Sequence, residues 1–205
     1  MSEFVSTKKA PFLSAQMIAK VAVLGAFAFL VMMFEVPIPF FVSFYKLGFD
    51  EVVVMIGGFA LGPLAAVMIE AIKILLNLLV NSTVTAGVGE LSNFLVGCAY
   101  VIPAAIYYQR HKDKQHAWLA LGIGTLCMTI AGTLINYFFI LPMYSAMLPM
   151  PMDDLIAAGT ALNGNIDSLF MFVLLMTAPF NFVKATLSSL IVALSYKRVS
   201  GLLKR

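Results

Sequence analysis

Residues 177–190 read TAPFNFVKATLSSL, an apolar run that carries an amide at Asn181 and an ammonium at Lys184. The two positions are three apart, so on a helix they share one face. A lysine near hydrocarbon costs about 2.5 to 3.5 kcal/mol on insertion scales, so it persists by snorkelling to the interface or by meeting a partner inside a bundle. Pro179 removes a backbone donor from the same turn. A broken membrane helix beside a polar pair is one way transporters build a small-molecule site. A snorkelling lysine next to a proline kink is the plainer alternative.

Composition sets the class. Of 205 residues, 61% are hydrophobic and only 11% charged, far from the balance of a soluble domain. Apolar runs of about 20 residues suffice to cross a bilayer, and six spans are expected, over 14–34, 49–61 (short for a span), a third ending near residue 80, 90–108, 118–140 and 167–196. The expected fold is an all-α integral membrane protein, one domain over 1–205, with six transmembrane helices and a capping loop after the first. The stretch 36–48 (VPIPFFVSFYKLG) is too rich in proline and aromatics for a regular helix, and is expected to form an outer loop or re-entrant cap. Gly62-Pro63 turns the chain tightly into the third run, which implies a short helix hairpin packed within protein, while 142–165, with MLPMPMDD, can hardly be one continuous helix. The first run is too long for a signal-peptide core and no small-residue cleavage site comes after it, so it is expected to stay attached. Cys98 and Cys127 fall inside apolar runs at no metal or redox spacing and read as small core residues.

Charge placement gives orientation. With six spans, Lys8, Lys9, Lys20, Arg110, Lys112, Lys114, Lys197, Arg198, Lys204 and Arg205 all fall on one side. That side is expected to be cytoplasmic, with both termini there. The opposite loops are expected to carry Asp50, Glu51, Asp153 and Asp154, with Lys46 as their basic residue. Topology explains the net charge of +3, which therefore gives no support to nucleic-acid binding.

Within the spans, Glu70 and Lys73 are three apart and can neutralise each other. Thr129, Thr133 and Asn136 form one polar stripe on the fifth helix, although an interhelical hydrogen bond alone would account for Asn136. Glu90 and Asn93 share a face at the start of the fourth helix, where a glutamate also suits the helix dipole. Together Lys46, Glu90, Asn93, Asn136, Asn181 and Lys184 project onto the outer half, beneath the loop that contains Phe40. These seven are the candidate substrate-binding residues. Few fixed polar groups among apolar and aromatic walls suit a flat heteroaromatic ligand with a polar edge.

On the first helix Ala15, Ala19, Ala22 and Ala26 fall in a stripe roughly 60° wide. Such a stripe lets another helix approach closely, either within the bundle or from a partner. No G-x-x-x-x-G-K-[ST] sequence occurs, so the chain is not expected to drive uptake with ATP by itself. No H-E-x-x-H pair or other metal cluster appears, His111 and His116 flank a basic loop, and no 3+3 repeat marks a secondary transporter. No acid, base and nucleophile set supports an enzyme, and no polar stripe through the inner half supports a channel.

Five segments in order carry a resemblance: VPIPFF with YKLGFDEV, GFALGPLAAVMIEAIK, GVGELSNFLVG, NYFFILPMY and APFNFVKA. The chain resembles the riboflavin-binding S components of the energy-coupling factor (ECF) vitamin transporters. That resemblance implies six helices and an outer vitamin pocket roofed by the first loop. It also implies an alanine motif on helix one that docks a transmembrane coupling subunit and two ATPases. It implies no cofactor beyond riboflavin as transported ligand. Where flavin-branch relatives tend to have aspartate, this chain has Gly48. On the residues alone another flat vitamin, such as thiamine or biotin, would also suit the pocket, although the charge of Lys184 opposes cationic thiamine.

Overall fold

The computed structural model describes residues 14–83, 85–147 and 151–203, with side chains up to 196. Lys8, Lys9, Lys204 and Arg205, on which part of the charge asymmetry rests, lie outside the described residues. The chain folds into a helical bundle. Its long helices are α1 (Ala15–Met32), α3 (Pro63–Asn81), α4 (Val88–Arg110) and α5 (Lys114–Ile135), with the short α2 (Asp50–Leu61) between α1 and α3. A π-helical turn, Asn136–Ile140, joins α5 to α6 (Leu141–Met147). Then come α7 (Met152–Thr160) and α8 (Leu169–Phe172), a second π turn Val173–Thr177, and α9 (Ala178–Leu203).

Among the described residues five helical segments are long and apolar enough to cross a membrane: Ala15–Met32, Pro63–Asn81, Val88–Arg110, Lys114–Met147 and Leu169–Tyr196. The fifth expected span continues past residue 140, where the sequence placed its end, because the π turn carries the helix through Pro142. The expected second span, α2, has 12 residues, about 18 Å of helix and well short of a bilayer. Every residue from Asp50 to Phe59 is buried, so α2 is a core helix enclosed by its neighbours.

Local chemistry explains the boundaries. Ser14 caps α1 by accepting from the Met17 amide at 3.3 Å, and Ser168 caps α8 through Met171 at 3.4 Å. Gly62 turns α2 into α3 with φ +108°, a conformation that glycine adopts without a Cβ clash. Pro63 then opens α3, where its missing N–H breaks no intrahelical bond. Each π turn ends two residues before a proline, at Ile140 before Pro142 and at Thr177 before Pro179. A proline ring cannot donate and collides with the carbonyl four residues back, and the widened turn relieves both problems.

α4 packs along α5, and α5 along α9, while α1 lies against α3. Tyr100 on α4 and Thr125 on α5 both hydrogen-bond Ser189 of α9, at 2.8 and 3.1 Å, tying the three helices at mid-depth. A second apolar cluster gathers Val42, Leu155, Ile166 and Phe172, so residues 33–49 are packed against the α7–α8 segment. That stretch closes on itself through a two-strand pairing, β1 (Val36–Pro37) with β2 (Lys46–Leu47), Pro37 opposite Lys46.

One expectation is corrected by burial. Asp50 and Glu51 do not lie in an outer loop: both are buried, and both reach Lys73, at 2.5 and 3.0 Å. The expected Glu70–Lys73 pair is present at 2.7 Å, so one lysine faces three carboxylates from α2 and α3. Tight packing at Gly97 admits them, since a Cβ there would stand 2.6 Å from Glu70 and 2.8 Å from Glu51.

Candidate functional site

Near one end of the bundle a cavity of about 290 Å³ opens between residues 35–46, the loop after α3, the start of α4, the π turns and the first turns of α9. The proline-linked breaks in the two facing segments both border it, a placement frequent at functional sites. Of the seven residues expected at the site, six line it: Lys46, Glu90, Asn93, Asn136, Asn181 and Lys184. Phe40 does not. It is 81% exposed, and its neighbours Phe44 and Tyr45 provide the aromatic wall instead. In a hairpin whose register is set by Pro37 opposite Lys46, Phe40 falls at the outward tip.

Tyr45 is fixed from two directions. Its hydroxyl meets Thr177 Oγ1 at 2.5 Å, and its ring stacks on Phe180 with centroids 4.8 Å apart. Phe41 meets the same Phe180 edge-on at 5.4 Å. The loop is therefore pinned to the start of α9, beside Asn181 and Lys184. Sequence reading missed Tyr45, Thr177 and Phe180 as a unit, since nothing local links a loop tyrosine to a threonine far along the chain.

The polar groups divide by what they already bond. Asn136 is 5% exposed and donates Nδ2 to the Gly132 carbonyl at 2.8 Å. Asn181 is equally buried, and its Nδ2 has no hydrogen-bond partner among the described residues. A buried donor left unpaired costs about 1 to 3 kcal/mol, so this amide is poised for a ligand acceptor. Gly132 makes room for it, as a Cβ there would stand 2.5 Å from Asn181 Nδ2. Lys184 is 6% exposed and forms no ion pair among the described residues. The snorkelling alternative fails, because a snorkelling ammonium would reach solvent.

Glu90 has a structural task as well as a place in the lining. It accepts from Thr83 and Thr85 at 3.1 and 3.0 Å, ordering the loop before α4. Thr129 and Thr133 bond the carbonyls of Thr125 and Thr129 within their own helix, so of that stripe Asn136 alone faces the cavity. Glu35, just past the end of α1, also lines it. Burial pushes its carboxyl above the ordinary range, while Lys184 acts in the opposite direction. A Cβ on Gly48 would stand 2.8 Å from Glu35 Cγ and 2.7 Å from Asp50 Oδ1, so Gly48 leaves the space that Glu35 fills.

The four alanines Ala15, Ala19, Ala22 and Ala26 are all exposed, while Val21, Leu24, Gly25 and Ala28 form the buried face of α1. Internal packing does not use the stripe.

Comparison with known proteins agrees with this architecture. Residues 16–196 match the family described as ECF transporter, substrate-specific component. Riboflavin transporter RibU of Staphylococcus aureus is 30% identical over 185 residues, covering 90% of each chain. Riboflavin transporter FmnP of Bacillus subtilis is 28% identical over 177 residues, covering 86% of this chain and 87% of that one. A solved S component of a bacterial ECF transporter superposes with a TM-score of 0.73 at 27% identity, over 93% of this chain and 98% of the other.

Proposed function

The chain belongs to the substrate-specific components of ECF transporters, and we propose that within this family it captures riboflavin at the outer face of the cell membrane. It then releases the vitamin inward together with a transmembrane coupling subunit and two ATPase subunits. Six passes, with α2 as the short enclosed one, would place both termini in the cytoplasm and residues 33–49 as a cap over the ligand. The observation that carries the ligand assignment is the Asn181 amide and the Lys184 ammonium, both lining the cavity with its aromatic walls and neither paired among the described residues.

The isoalloxazine ring has carbonyl oxygens and ring nitrogens along one edge and an apolar dimethylbenzene at the other. Asn181, Asn136 and Lys184 supply donors for the polar edge, while Phe44, Tyr45 and Phe180 border the apolar part. Glu35 provides a carboxylate close to Gly48, where flavin-branch relatives tend to carry aspartate, and can accept from the ligand's ring N–H or ribityl hydroxyls. An anionic or neutral ligand suits Lys184 better than cationic thiamine does. Phe40, at the exposed tip, takes part only if the loop closes further on the ligand.

Lys184→Ala should weaken riboflavin binding by roughly tenfold or more, because a charged donor to a desolvated acceptor is lost. Fluorescence titration of the folded variant measures it, and unchanged affinity would remove Lys184 from the site. Gly132→Ala should weaken binding by roughly fivefold by pushing Asn181 Nδ2 from its position. The absorbance of protein purified from riboflavin-fed cells tests the assignment as a whole. A retained flavin colours it yellow, whereas a colourless protein that holds another vitamin would identify an S component of different specificity.

A further inference from the structure

From Glu90 to Tyr108 α4 rises about 27 Å, nearly the depth of a bilayer core. At that far end a second cavity of about 230 Å³ opens between the last turn of α2, the end of α4, the start of α5 and α9. Its interior is apolar. Phe59 and Tyr108 stack with centroids 4.2 Å apart, and Tyr196 meets both edge-on at 5.3 Å. At the mouth stands Trp118, 46% exposed.

The rim is charged. Lys112 and Lys114 are exposed and border the cavity, and neither forms an ion pair among the described residues. Asp113 between them is engaged elsewhere, accepting the backbone N–H of His116 at 2.8 Å and contacting its ring Nδ1. Two ammonium groups thus sit over an aromatic pocket whose mouth is lined by an interfacial tryptophan. None of these residues borders the larger cavity.

We propose that this second cavity binds one anionic phospholipid, with its phosphate between Lys112 and Lys114 and the upper part of an acyl chain running past Trp118 into the pocket floored by Phe59 and Tyr108. Basic pockets between membrane helices recognise anionic headgroups through this combination of charge and apolar depth. A soluble phosphate would engage the lysines and leave the aromatic interior unfilled, so charge and apolar complementarity together favour the lipid. The site is independent of which vitamin the outer cavity takes.

Trp118 is the sole tryptophan in the chain, so its fluorescence reports on this mouth alone. The full chain, free of vitamin, is placed in phosphatidylcholine vesicles containing increasing brominated phosphatidylglycerol or brominated phosphatidylcholine. Bromine on the phosphatidylglycerol chains should quench Trp118 at a mole fraction at least about fivefold lower than on phosphatidylcholine, the effect expected of one lysine near an anionic surface. Lys112→Gln with Lys114→Gln should abolish the difference, and Lys112→Arg with Lys114→Arg should retain it, circular dichroism confirming equal helix content. Equal quenching by both lipids, no quenching by either, or a preference that survives the glutamine pair would overturn the proposal. So would loss of the preference on adding inorganic phosphate at millimolar concentration but not chloride at equal ionic strength, since that identifies a soluble phosphate site.

Discussion

Replacing Lys73 with methionine is expected to destabilise the bundle by about 3 to 5 kcal/mol, the typical cost of removing one member of a buried ionic cluster. Lys73 is fully buried and lies within 3.0 Å of Asp50, Glu51 and Glu70. Methionine fills nearly the same volume but leaves three carboxylates facing one another without a cation, deep in the protein. Thermal unfolding in detergent measures the loss. Adding Asp50→Asn to Lys73→Met should recover part of it, because one of the three uncompensated charges is then gone. A methionine variant as stable as the parent, or a double variant less stable than the single, would mean that the cluster does not hold α2 to α3.

Tryptophan at Ala22 and Ala26 is expected to abolish uptake while leaving riboflavin affinity within about twofold, as substitutions on an outward face usually perturb little. The exposed stripe lies off the buried face through which α1 packs on α3, where a Cβ on Gly25 would already stand 2.6 Å from Ile72. A bulky ring there points away from the bundle interior, where only a partner helix would meet it. Affinity in detergent, co-purification with the coupling subunit and uptake in cells separate the two steps. Normal uptake with both substitutions would remove this stripe from the docking surface, and a parallel loss of affinity would place it in the fold.

Periodicity made most of the bundle legible in the sequence. Long apolar runs exposed α1, α3, α4, α5 and α9, and three-residue spacings brought Glu70 to Lys73 and Asn181 to Lys184. Spacing marks 49–61 as a short helix but not where its first turn sits, so it leaves Asp50 and Glu51 in the outer loop: their partner Lys73 is more than twenty residues away. Helical periodicity likewise misses a π turn, which inserts a residue and so rotates the rest of the helix. Pro142 and Pro179 were the available signals. In the loop, composition shows a stretch rich in proline and aromatics but cannot tell Phe40 from Tyr45, because that choice depends on hairpin register and on contact with Thr177.

Calorimetric titration of the vitamin-free chain against riboflavin, thiamine and biotin tests most directly whether the cavity beside Asn181 and Lys184 holds riboflavin. Riboflavin should bind one to one, far more tightly than the other two, and Lys184→Ala should weaken that binding selectively. Tight binding of thiamine or biotin with none of riboflavin would contradict the assignment.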